Sequence, residues 1–115
     1  MTADELQQRI VAVLEDLKAR DIQVLDVRDR TGVTDYMVVA SGTSARHVRA
    51  LAEHVELELK EEGVAALGIE GQGDQAEWIL VDFGDVVAHL MMPEARSFYD
   101  LESLWAVAAQ RPDAH

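Results

Sequence analysis

A chain of 115 residues is long enough for one core, and its net charge of -12 comes from twenty-two Asp and Glu against ten Lys and Arg. Phosphate backbones repel such a chain, which excludes broad nucleic-acid binding and leaves a basic protein as the natural complement. The absence of cysteine excludes disulfides and thiolate chemistry and suits a cytoplasmic location; no apolar run approaches a membrane span, and Met1 to Glu5 has neither the basic nor the apolar part of a signal peptide.

In chain order, Thr2 with Glu5 three residues on reads as a capping box. Leu6, Ile10, Val13, Leu14 and Leu17 then recur at spacings of three and four, giving a helix one apolar stripe. Lys18 and Arg20 are placed near its C-terminus, where the dipole favours them, and Asp21 ends it. Ile22 to Val27 reads as a strand. Arg28 to Gly32 is a polar connection, short enough to make the next strand antiparallel to the first.

Tyr36 to Ala40 is an apolar run without alternation, as expected of a strand buried on both faces. Ser41-Gly42-Thr43 reads as a turn in which Gly42 is free to take a positive φ. Ser44 caps a second helix from about Ala45 to Glu62, with Val48, Leu51, Ala52, Val55 and Leu59 as its buried stripe and Gly63 just past its end. This helix opens with Arg46, His47 and Arg49 and fills its later turns with acids, against the preference of the macrodipole. Charge set against a local preference marks Arg46, His47 and Arg49 as a secondary partner surface.

Val64 to Ile69 reads as a third strand and Glu70 to Gln75 as a loop. Trp78 to Val81 and Val86 to Met91 are two strands joined by a hairpin turn at Asp82-Phe83-Gly84-Asp85. Pro93 opens a short helix whose apolar face is Phe98, Tyr99, Leu101, Leu104 and Trp105. Residues 106–115 show no periodicity and read as a flexible tail beyond a domain of residues 1–105. The sum is a single small α/β domain, a mixed sheet of five strands flanked by helices.

Several constellations invite a chemical reading. Ser41, Asp35 and His47 suggest a hydrolase triad, but no nucleophile elbow is present. Asp82, Asp85 and His89 suggest a metal site; exposed turn carboxylates and a hydrogen-bonded sheet histidine explain them better. The turn from Ser41 to Ser44 could hold an anion, but a plain capped helix is the better account.

Four ordered blocks carry a resemblance. They are Asp21 to Val27; Thr34-Asp35-Tyr36-Met37-Val38-Val39-Ala40-Ser41-Gly42-Thr43-Ser44-Ala45-Arg46-His47-Val48; Glu70-Gly71 with Trp78 to His89; and Pro93 to Trp105. Together they resemble the ribosomal silencing factor, or Iojap-like, family over roughly Leu6 to Trp105. The resemblance implies a non-enzymatic translational repressor that uses no cofactor or metal. It implies binding to the large ribosomal subunit through large-subunit ribosomal protein fourteen. Small-subunit joining is then blocked under nutrient limitation, by a monomer or homodimer with little direct RNA contact. It also implies a nucleotidyltransferase-like fold. The alternative is a nucleotide-binding enzyme of that fold, which would need paired aspartates after the Gly-Ser turn; here Ala45 and Arg46 follow.

For the partner surface the acids Glu70, Asp74, Glu77, Asp82 and Asp85 are expected to meet basic residues. Trp78, His89, Met91 and Met92 are expected to supply the apolar centre.

Overall fold

Thr2 does begin the first helix. Its side chain accepts the Glu5 N–H, and the Glu5 carboxylate accepts the Thr2 N–H, closing the capping box of α1 (Ala3–Asp16). The computed structural model describes residues 1–29, 32–71 and 76–99, for 97–99 the backbone only. Element order is α1, β1 (Arg20–Asp26), β2 (Tyr36–Ser41), α2 (Ala45–Glu61), β3 (Gly68–Glu70), β4 (Trp78–Asp82), β5 (Val86–Met91) and α3 (Pro93–Tyr99).

The five strands form one sheet in the order β1-β2-β5-β4-β3. Only β2 and β5 run parallel, as the long connection through α2 and the β3–β4 pair allows; the other neighbours are antiparallel. Helices α1 and α2 cover one face. Val38, Ala40, Ile79, Val81, Val86, Ala88 and Leu90 meet Leu6, Ile10, Val13, Leu14, Val48, Leu51, Val55 and Leu59 there. The second face carries Val39 and Met91, on which Ala95 of α3 packs, with Leu25 and Trp78 at the margin.

Four local expectations change. Helix α1 stops at Asp16, so Arg20 and Asp21 belong to β1 and Lys18 lies past the helix. Lys18 takes φ 61°, its N–H bonds the Glu15 carbonyl, and Ala19 N–H bonds the Leu14 carbonyl. This is the closing motif usually made by glycine, and α2 ends the same way with Gly63 at φ 88°. Strand β3 begins at Gly68, not Val64, and includes Glu70. Ser41 is the last residue of β2 and not part of the turn. Gly42 is required for a different reason from the one expected. It does not take a positive φ; a Cβ there would lie 2.8 Å from Val48 Cγ2 and 2.9 Å from Val48 N. The first turn of α2 therefore sits directly on the end of β2.

The apolar face expected from Leu101, Leu104 and Trp105, like the tail at 106–115, lies outside the described residues, as do the side chains of Phe98 and Tyr99.

Candidate functional site

The β4–β5 hairpin holds most of the residues expected at a partner surface, and its register divides them. Trp78 pairs with Met91 at one end, while Asp82 pairs with Val87 at the other. Four steps of strand separate Trp78 from Asp82, about 13 Å at ~3.3 Å per residue. Alternation puts Trp78, Leu80 and Asp82 on the second face together with Val87, His89 and Met91 of β5.

At the Trp78 end the indole is half-buried. Its Nε1–H donates to Nδ1 of His89 across the diagonal of the strand pair at 3.0 Å. The two rings lie 5.7 Å apart at 45°. His89 is only 5% exposed, and burial pushes its imidazole down to about 4, so the ring is neutral at physiological pH. Its Nε2 is buried with no hydrogen-bond partner. Glu70 and Glu77 are exposed beside this pair. Glu70, Gly71, Trp78 and Leu80 line a groove of about 290 Å³. Met91 is fully buried against Val39 and Ala95, and half-buried Met92 packs into the core under the helices. The surface at this end is thus Trp78 and Leu80 with an acidic rim, and the expected apolar centre lies largely beneath it. Asp74 lies outside the described residues.

The Asp82 end is built differently. Asp82 is half-buried, and its Oδ1 accepts the Gly84 N–H at 2.7 Å, so the side chain shapes the turn. Asp85 is exposed; its main-chain carbonyl accepts the N–H groups of Asp35 and Tyr36 and ties the hairpin to β2. A base lies nearby: Arg28 grips Asp26 at 3.0 and 2.6 Å and stacks 5.3 Å over Tyr36. The Arg28 hydrogen bonds hold the Asp26 carboxyl below its usual range.

The turn from Ser41 to Ser44 is occupied by the chain itself. Ser41 Oγ, 1% exposed, accepts from Arg96 Nη1 at 3.0 Å. Gly42 N–H donates to the Met91 carbonyl, and Ser44 Oγ accepts the His47 N–H. Thr43 N–H donates to Nδ1 of His47 at 2.9 Å, which leaves the proton on Nε2 to reach the Leu17 carbonyl, also at 2.9 Å. His47 therefore clamps the start of α2 to the end of α1. It is half-buried, with both ring nitrogens engaged. Arg46 is exposed and Arg49 half-buried at the same end of the sheet as Trp78, where β2 ends beside β5. Asp35 and Ser41 sit at opposite ends of β2, so no triad is assembled. No group of three His, Asp or Glu fit to hold a metal occurs among the described residues. Sequence reasoning missed Ser41–Arg96 and His47–Leu17 because each joins residues at least thirty positions apart.

Comparison with known proteins places these features in a family. The model of the family described as "Ribosomal silencing factor during starvation" matches residues 1–115. A ribosomal silencing factor of Chromobacterium violaceum is 44% identical, the match covering 97% of each chain. A crystal structure of a protein from the same organism has a TM-score of 0.89 at 45% identity and covers 92% of this chain and 88% of that one. A mouse protein named "Mitochondrial assembly of ribosomal large subunit protein 1" is 42% identical over 85% of this chain and 44% of its own length.

Proposed function

The chain belongs to the ribosomal silencing factor family, and from that premise we propose that it binds the large ribosomal subunit through large-subunit ribosomal protein fourteen and blocks joining of the small subunit. Its broad role is ribosome-associated silencing. The mechanism is exclusion: a protein seated where the other subunit must land needs no chemistry of its own, and the chain works without catalysis in the cytoplasm when nutrients are short. The observation that supports a docking role is half-buried Trp78 at the margin of the second face, rimmed by exposed Glu70 and Glu77. An aromatic anchor inside a charged rim is the usual make-up of an interface centre. The charge of -12 directs that rim toward a basic protein and away from ribosomal RNA. The nucleotide-handling alternative has less support, since Ser41 Oγ, Thr43 N–H and Ser44 Oγ are each engaged within the chain.

Sedimentation tests the proposal. The chain should travel with free large subunits and not with small ones, and should lower the yield of joined ribosomes when added to separated subunits. Co-sedimentation with small subunits alone would refute it.

A further inference from the structure

One nitrogen of the His89 ring is engaged within the chain and the other is not. An indole N–H can only donate, so Nδ1, 3.0 Å from Trp78 Nε1, carries no proton. The proton of the neutral ring is then on Nε2, which is buried and unpaired. An unpaired buried donor weakens the fold, and native proteins keep few of them. This one lies on the second face, in register with Val39 on one side and Leu80 on the other. Leu80 and Trp78 line the groove, with Glu70 at its border.

We propose that the Nε2–H of His89 is a specificity-determining donor of the docking face, satisfied by a main-chain carbonyl of the bound partner. The proposal rests on the docking reading above. The chemistry selects the acceptor. Lys and Arg side chains of a basic partner are donors only and cannot satisfy another donor. A carboxylate would have to approach a chain of net charge -12. The main-chain carbonyl is the acceptor that any basic polypeptide carries. The face then sorts its contacts: cationic side chains go to Glu70 and Glu77 at the rim, and backbone goes to His89 at the centre. Docking has to displace the side chains that shield Nε2, and rotamer changes of that size are common on binding.

The test titrates parent and variants into purified large-subunit ribosomal protein fourteen, with a melting temperature for each. His89→Leu keeps much of the volume and removes the donor. Its affinity should fall on the order of tenfold to a hundredfold, the worth of one buried hydrogen bond. Its melting temperature should change little, because the unpaired buried donor is gone but so is the Nδ1 acceptor of the Trp78 indole N–H. His89→Gln, whose amide N–H reaches near the position of Nε2, should retain most of the affinity. On the parent alone, the Nε2–H proton resonance of His89 should move downfield when the partner is added; this decides the matter if His89→Leu does not fold. An unmoved resonance, or a folded His89→Leu that binds like the parent, overturns the proposal and leaves the docking reading standing. A parent chain that does not bind overturns both.

Discussion

The two faces of the sheet are made by different rules. Toward α1 and α2 the buried side chains are aliphatic, apart from Phe83, and nothing there has to be paired. Among the described residues the only buried polar side chains are Ser41 and His89, and both lie on the second face. One is satisfied by Arg96 of α3, and the other is satisfied at Nδ1 alone. Burying a polar group lowers stability unless it is paired, so the second face gives up stability that the first face does not. Such departures concentrate where a protein meets something else.

The largest expected effect tests the helix face as a region of packing alone. Leu51 is fully buried between α2 and the sheet. Leu51→Ala should lower unfolding free energy by about 2–5 kcal/mol, read by urea denaturation, through lost transfer energy and the cavity left behind. The affinity of the folded variant for large subunits should not change. A variant that stays stable and loses binding would break the division between the faces.

Acid should find the second face first. The usual histidine value is 6.5, and burial brings His89 down to about 4 in the folded chain. The unfolded chain therefore takes up the proton first as pH falls, and stability is lost across the window between those values. The loss amounts to about 3 kcal/mol once pH is below both. Glu5 and Asp26 begin to act later: hydrogen bonds to Thr2 and Arg28 hold their carboxyls below the usual 4.5 and 3.8, so their contributions are lost only as pH falls past those values. Urea midpoints measured from pH 7 to pH 5, above the carboxyl range, should slope for the parent and run much flatter for His89→Leu. Equal slopes would mean that some other group titrates in this window.

What could be read in advance follows from how local each cause is. The capping box and the stripe from Val48 to Leu59 were legible because each obeys the period of one helix. The two helix ends show the limit. Gly63 marked the end of α2, since glycine takes a left-handed φ without strain. The same motif at Lys18 was invisible, because lysine signals continuation. Gly42 is legible as a turn residue, but the need for glycine is not: it arises from Val48, across the turn, and not from its own backbone angle. At the candidate site the residue types were legible and their grouping was not. Trp78, Asp82, Asp85 and His89 are near one another in sequence, yet an extended strand carries the aspartates to the far end of the hairpin while the diagonal brings Trp78 to His89. The engagement of His47 could not be read either, since its carbonyl partner lies on another helix thirty residues away.

Trp78→Ala asks whether the margin of the second face serves docking more than folding. The indole is half-buried, so its loss should cost the fold less than Leu51→Ala does. Binding should weaken by on the order of 2 kcal/mol, as for an aromatic anchor. Calorimetric titration set beside a thermal melt separates the two quantities. A large drop in melting temperature with unchanged affinity would return Trp78 to the core.

The smallest effects separate the two ends of the hairpin. Asp82→Ala removes the acceptor of the Gly84 N–H and should cost about 1 kcal/mol of stability. Asp85→Ala should stay within about 0.5 kcal/mol, because the tie to Asp35 and Tyr36 runs through the main-chain carbonyl, which any residue keeps. Charge reversal then reports where the partner sits. Trp78 and Asp82 are about 13 Å apart along β4, beyond the ~10 Å over which salt at 0.1 M screens a surface charge. Asp85→Lys should therefore slow association modestly in low salt, and the effect should vanish as salt rises. Glu77, one residue from Trp78, is exposed at the margin itself, so Glu77→Lys should weaken binding more and keep part of its effect in high salt. Association and dissociation rates for the two variants at low and high salt give the comparison directly. If Asp85→Lys proves the more damaging at both salts, the partner sits on the turn and not on the indole, and the contact belongs to the opposite end of the hairpin.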